Sequence, residues 1–248
     1  MTCDRMIGPF RCCSVVQGDC LELCAVLGSG CFDAIIMDPP FGIGFASQPT
    51  KWQRRAGMDR EYWDEFPPDI TNLMHLAPVR IIWGGNYFPL PISKSWLCWY
   101  KPGSPPSMGD FELAWTNLDK PTAHFTQSIS ATNAERVGFP TQKPLALMEW
   151  TIKQAGMPET ILDPFLGSGT TAVAALKLGR HFLGFEISEA YCKIARDRIA
   201  LVENQPNLFE RTTKMAEQCR LYDGPDKSGA LMGELDAMVE LQMLKESK

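Results

Sequence analysis

The chain lacks a long hydrophobic run. No apolar stretch in its 248 residues approaches the roughly 20 needed to cross a bilayer, so no membrane-spanning helix and no membrane partner are expected. The opening MTCDRMIGPF has no basic start followed by an apolar stretch, which argues against a secretory signal and for a cytoplasmic setting. Nine cysteines are present, but none forms a CxxC pair. Cys20, Cys24 and Cys31 lie near one another with no histidine cluster to follow. Reduced, mostly buried thiols are therefore expected, rather than disulfides or zinc, and no metal is assigned. His75, His124 and His181 have no triad or ligand company in the sequence and are read as structural.

An excess of positive charge is missing as well. The net charge is −5, against the basic footprint usual in nucleic-acid-binding domains. The distribution softens that objection. From Glu203 onward there are 9 acidic and 6 basic residues, so the tail carries much of the negative balance. Lys51, Arg54, Arg55 and Arg60 form a basic cluster inside the chain. Such a run reads either as a solvated face or as a local phosphate contact.

What is present is an ordinary globular composition, 45% hydrophobic, and a length suited to one α/β domain with a modest insertion. The run 12–16 reads as a strand ending at Gly18 and Asp19, followed by a short helix around Leu21–Leu27. A second strand, 32–37, ends in Asp38-Pro39-Pro40-Phe41. Residues 46–61 show no period and read as a loop. Helix is expected over 67–76, then strands at 79–83, 96–100 and 111–115, with irregular structure from 116 to 140. Leu145, Met148 and Ile152 give a helix between Pro144 and Gly156. The strand 160–162, a glycine-containing turn, an Ala-rich helix, the strand 181–185 and a helix from Glu189 follow. The chain thus reads as 1–204 in one domain with a tail, 205–248, that is helical or partly disordered.

Two stretches carry chemistry. In Asp38-Pro39-Pro40-Phe41 the prolines fix φ and stiffen the backbone at a strand end. A carboxylate, a rigid carbonyl and a flat ring there suit a planar amino-bearing group, although an Asp-Pro turn capping a strand has the same signature. In Asp163-Pro164-Phe165-Leu166-Gly167-Ser168-Gly169-Thr170, a turn from strand to helix lets a ligand press against backbone and meet helix amides. Glu186, about 20 residues on at the next strand end, is placed to accept ribose hydroxyls. The turn lacks the lysine of a phosphate-binding P-loop and holds only GxG, not GxGxxG, which points away from NTPases and dinucleotides.

These motifs in their order, DPPF, then PTQKP before a helix, then DPFLGSGTT and GFE, resemble the β-class DNA amino-methyltransferases. WGGNYF, FELAW and FPTQKPLALMEW are most similar to small phage-type adenine-N6 enzymes. The resemblance runs from about Val15 to Ile199. It implies a Rossmann-like fold with a seven-stranded, mostly parallel sheet and permuted motif order, and S-adenosylmethionine as cofactor. DNA is the implied partner. Asp38, Pro39, Pro40 and Phe41 would form the catalytic corner. Phe165, Gly167, Ser168, Gly169 and Thr170 would form the cofactor turn closed by Asp163, and Glu186 would hold the ribose. Asp19 would meet the adenine of the cofactor, unless it is an ordinary turn cap. Lys143 or Thr141 would reach the methionine carboxylate, although a lysine entering a helix often faces solvent.

Phe139 stands where the family often has His. No Pro-Cys dipeptide occurs, so the covalent route to C5 of cytosine has no nucleophile. Direct attack by an amino nitrogen on a methyl sulfonium is the expected chemistry, on a base flipped from the duplex. By resemblance, Asp in the first tetrad position favours adenine N6 over cytosine N4. RNA, protein glutamine, or a non-catalytic DNA-binding role are the other readings. The loops 46–61 and 103–140 would form the DNA-facing rim.

Overall fold

Ala34-Ile35-Ile36-Met37 is apolar without alternation, the pattern of a strand covered on both faces. In the computed structural model, which describes residues 3–43, 65–105, 109–139 and 141–204, this is β4 (Ala34–Met37), with every side chain buried. Before it, β1 (Met6–Ile7) and β2 (Phe10–Arg11) form a small antiparallel hairpin. The main sheet comprises β3 (Ser14–Gln17), β4, β5 (Val79–Trp83), β6 (Trp96–Tyr100), β7 (Phe111–Thr116), β8 (Ala123–Thr126), β9 (Thr160–Asp163) and β10 (His181–Glu186). Its order is β3-β10-β9-β4-β5-β7-β6-β8. β7 is antiparallel to both neighbours, and the remaining pairings are parallel.

The helices are α1 (Cys20–Cys24), α2 (Ile129–Ala134), α3 (Leu145–Gln154), α4 (Thr170–Lys177) and α5 (Glu189–Glu203). Successive strand residues face opposite sides of a sheet, so Ile35 and Ile36 belong to different layers. Ile36, Ile81, Trp83 and Ile161 pack with Leu147 and Ile152 of α3, Ala174 of α4 and Ala195 of α5. Ile35, Met37, Ile82 and Leu162 pack with Cys20 and Cys24 of α1 and with Leu73 and Leu76 of a 3-10 turn, Thr71–Leu76. Burying each such aliphatic side chain contributes about 1.5–3 kcal/mol. The product is a three-layer α/β fold around a mostly parallel sheet, and Trp83, Trp99 and Trp115 are core residues, as expected.

Several local expectations are corrected. The sheet has eight strands because β8 adds a parallel edge beside β6. It is only four residues long and half-buries just Ala123 and Phe125, too weak a pattern to read within a polar stretch. The same stretch contains α2, which starts where the Ser128 hydroxyl accepts from the Ala131 amide at 3.3 Å. The helix expected at 67–76 is confined to the 3-10 turn, because Pro67 and Pro68 cannot donate to a helix and Asp69 caps Thr71 instead. The first main-sheet strand begins at Ser14, and Cys12 and Cys13 lie in the turn before it.

The chain leaves β4 toward β5 but leaves β9 toward β10, so the sheet has a topological switch between β4 and β9. Ligands of open α/β sheets bind outside the carboxyl ends of strands at such a point. These elements belong to a compact unit, Met1–Glu203, and residues 205–248 lie outside the described residues. Among the described residues, no helix is long and apolar enough to cross a membrane.

Candidate active site

β3, β10, β9 and β4 are consecutive and parallel, so their carboxyl ends lie side by side. Each delivers an acid. Asp19 follows β3, Glu186 closes β10, Asp163 closes β9, and Asp38 follows β4. At about 4.8 Å per strand, the four strand ends span about 14 Å. All four carboxylates line one cavity of about 570 Å³, within the range of small-molecule sites. Pro40, Thr141, Lys143, Phe165, Gly167, Ser168 and Thr170 also line it. Of the residues singled out in the sequence, Pro39, Phe41 and Gly169 are not in its wall.

The turn between β9 and α4 is built by close packing. Gly167 has φ +53°, and a Cβ there would come within 2.9 Å of the Phe139 ring. Gly169 has φ +80°, and its Cβ would meet Ala195 of α5 at 2.8 Å. Both positions favour glycine on backbone and space alike. The Glu186 carboxylate reaches across to accept from the Gly167 amide at 2.8 Å and the Ser188 amide at 2.9 Å. From α5, Arg198 donates to the Ser168 carbonyl at 2.6 Å and to the Ser168 and Thr170 hydroxyls at 3.1 Å. It clamps the turn from behind.

Asp163 is the least solvated of the acids. Burial pushes its carboxyl up to about 7, with the charges of Asp38 and Glu186 adding to the rise. The Thr171 hydroxyl and Phe165 amide work in the opposite direction, the latter bond being 3.0 Å. Asp19 caps α1 by accepting from the Leu21 amide at 2.8 Å. The turn-cap role weighed for it is therefore present, alongside its place in the cavity wall.

Across the cavity, Lys143 enters from the PTQKP segment and bridges two elements. Its ammonium is 2.5 Å from Asp38 Oδ2 and 2.6 Å from Glu112 Oε1. Lys101 stands 3.5 Å from the other Glu112 oxygen. Burial opposes the Lys143 charge, but Asp38 and Glu112 outweigh it and move its pKa upward. For Glu112, burial likewise opposes the charge, and Lys143 and Lys101 carry its pKa below the usual carboxylate value. Lys143 was expected either at a ligand's carboxylate or facing solvent. It is 8% exposed at the side chain, held against Asp38.

Phe41 turns out of the cavity and stacks on Tyr87, with centroids 4.9 Å apart and planes at 11°. The ring lies over Gly84, whose φ is +67° and whose Cβ would fall 2.0 Å from it. Lys143 sits 5.8 Å from the same ring. Phe139, in the position where the resembled family often has His, packs edge-on against Tyr191 at 4.8 Å and lines the cavity. Lys51, Arg54, Arg55 and Arg60 lie outside the described residues, as does all of the stretch 46–61.

Glu112, Lys101 and Arg198 were missed in the sequence. An acid inside the otherwise apolar strand FELAWT was the available signal for Glu112. Arg198 looked like any exposed helix cation. His181 needs correcting too, because thiols of Cys12 and Cys13 stand 3.4 and 3.5 Å from its Nδ1.

Residues 91–197, from before β6 into α5, match the N6/N4 methylase family, described as DNA methylase. That match covers 107 of the 248 residues, less than half of the chain. The Asp38-Pro39-Pro40-Phe41 corner lies ahead of the matched region. The chain is 24% identical to YubD of Escherichia coli (strain K12), a provisionally named methylase, over 76% of this chain and 90% of that protein. It is 49% identical over 69 residues to the type II methyltransferase M2.DpnII of Streptococcus pneumoniae, covering 27% of this chain and a quarter of that enzyme. A solved structure of M1.HpyAVI in complex with SAM aligns over 75% of this chain and 98% of that one, with TM-score 0.49 and 22% identity.

Proposed function

We propose that this methylase transfers a methyl group from S-adenosylmethionine to the N6 amino group of adenine in DNA, with one catalytic domain spanning residues 1–204. The observation that carries the reading is the row of four carboxylates at adjacent strand ends around one cavity, with the Asp-Pro-Pro-Phe corner at one end of the row. The donor set fits the cofactor: hydroxyl acceptors at Glu186, an amide-rich turn at Gly167–Thr170, and an acid at Asp19 for an adenine amino group. When bound, the cofactor supplies an electrophilic methyl on a sulfonium.

The chain's residues do the rest. The Gly167-Ser168-Gly169 turn, clamped by Arg198, receives the nucleoside against backbone, with Phe165 and Phe139 as apolar wall. Glu186 accepts the ribose hydroxyls. Thr141 lies at the cavity for the ligand's polar end, and Lys143 acts chiefly by holding Asp38. With Oδ2 held by Lys143, the Asp38 carboxylate and the Pro39 carbonyl are the proposed acceptors for an incoming amino group. Each accepts one hydrogen, which localises the lone pair on nitrogen and stabilises the positive charge that develops as it attacks. Asp38 or water then takes the released proton. Phe41 and Tyr87 form an aromatic stack beside the corner on which a flipped base can rest. Lys51, Arg54, Arg55 and Arg60 are proposed phosphate contacts.

A second reading, methylation of cytosine N4, is favoured by the breadth of the family, which spans both amino groups. Asp rather than Ser at position 38 favours adenine. The test is purified protein with methyl-labelled cofactor and mixed-sequence duplex DNA, digested to nucleosides. Label in N6-methyladenine is expected. Label in N4-methylcytosine overturns the base assignment, and label in RNA or protein alone overturns the substrate class.

A further inference from the structure

We infer that Cys3, Cys12, Cys13 and His181 form a structural zinc site at the end of the sheet opposite the cavity. The three Sγ atoms and the imidazole Nδ1 all lie within 4.8 Å of one another. Cys12 Sγ is 3.7 Å from Cys13 Sγ, and these sulfurs lie 3.4 and 3.5 Å from Nδ1. A tetrahedral Zn²⁺ with Zn–S about 2.3 Å and Zn–N about 2.05 Å places its sulfurs about 3.8 Å apart and S···N about 3.5 Å apart. Cys12, Cys13 and His181 have the spacing of one face of that tetrahedron, and the Cys3 sulfur lies within 4.8 Å of each of them.

Two competing explanations fit less well. A disulfide needs sulfurs at about 2.05 Å, far inside the Cys12–Cys13 separation. A plain hydrogen-bond cluster leaves two thiols converging on one ring nitrogen, which in either tautomer serves as a single donor or acceptor. A cation at the centre satisfies them all.

The backbone supports the assignment independently. Neighbouring residues in extended chain point to opposite sides, so Cys12 and Cys13 should diverge. They converge because Cys13 adopts φ +56°, one of two positive-φ non-glycine residues among those described. That conformation is unfavourable for a non-glycine residue, and strain of this kind is kept where a shared ligand needs it.

The position fixes the role. His181 opens β10 and Glu186 closes it, so the cluster lies about 17 Å along the strand from the proposed ribose acid. Four protein ligands leave no open coordination position, the mark of a structural rather than a catalytic zinc. The ligands come from the segment before β1, the turn between β2 and β3, and the start of β10. Zinc there ties the N-terminal hairpin to the sheet next to its edge strand, β3, and binding energy becomes folding energy. No CxxC spacing announces the site, because two of its ligands are adjacent residues and the fourth comes from a distant strand.

The test uses the full chain without a polyhistidine tag, purified reduced and free of chelators. Elemental analysis is expected to find about one zinc per chain. Co²⁺ exchanged into the site is expected to show thiolate charge-transfer and tetrahedral ligand-field absorption. Cys13→Ser and His181→Ala are expected to lose most of the metal. Should either variant fail to fold, the wild-type protein decides. Stoichiometric zinc released by a mercurial thiol reagent, with a fall in thermal midpoint, supports the site. Wild-type protein lacking both zinc and Co²⁺ uptake overturns it. A disulfide between any of these cysteines, or full metal retention in the folded variants, does so as well.

Discussion

The Lys143 ammonium lies 2.5 Å from the Asp38 carboxylate, joining the PTQKP segment to the Asp-Pro-Pro-Phe corner. Glu112 on β7 holds the same ammonium from the other side at 2.6 Å. The corner is therefore a buried charge network, in which the Asp38 carboxylate, proposed to meet the base, is held by a lysine, and that lysine by a second acid. Removing one member leaves the rest with charges that burial does not tolerate.

Glu112→Gln removes the acid that Lys143 and Lys101 share and leaves Lys143 with Asp38. We expect a stability loss of about 3 kcal/mol, read by denaturant unfolding. Methyl transfer should fall about 10- to 100-fold with little change in cofactor affinity. Combined with Lys143→Met, the loss should be smaller than the sum of the single losses, because the two residues act as one unit. Strict additivity in that cycle would contradict the network.

Gly84→Ala places a Cβ where the Phe41 ring now lies, in a left-handed conformation that favours glycine. A cost of about 1–3 kcal/mol is expected. Displacement of Phe41 from Tyr87 should lower methyl transfer more than cofactor binding. Thermal unfolding and single-turnover kinetics check the two parts separately. Gly103→Ala, in open space though also at positive φ, should carry the backbone strain without the effect on transfer.

The row of acids was legible in the sequence because each stands where an apolar run stops: Gln17 before Gly18 and Asp19, Met37 before Asp38, Leu162 before Asp163, Phe185 before Glu186. Strand ends in a parallel sheet converge, so one-dimensional punctuation became one three-dimensional site. What the residues did not reveal was lateral. Glu112 and Lys143 meet across strands with no periodic relation. Arg198 reaches the Gly167–Thr170 turn because Gly169 lets α5 approach it closely. β8 was hidden since an edge strand buries few side chains. The Cys12–Cys13 turn read as strand because its composition is apolar, and only its backbone turns both thiols to one side.

Asp163 gives a pH signature. Its carboxyl in the folded chain sits at about 7, above the ordinary value near 3.9 of an unfolded chain. Between those values the folded protein binds the extra proton. The associated stability is full below the ordinary carboxyl value and is lost as pH rises through about 7. Asp163→Asn has no proton to lose. Wild type should therefore lose stability relative to this variant between about pH 4 and about pH 7, by on the order of 2–4 kcal/mol, with little change above. Unfolding curves for both proteins across that range test it. A difference independent of pH would contradict the assignment.

Asp38→Ala tests the central claim most directly, with cofactor binding measured by calorimetry and methyl transfer to duplex DNA measured under single-turnover conditions on the same preparation. Asp38 touches the incoming amino group in this account and has no part in holding the cofactor. Affinity for S-adenosylmethionine should stay within about threefold of wild type, while transfer falls by about 10²–10³ or more. Cofactor bound normally and methyl transferred at the wild-type rate would contradict the account.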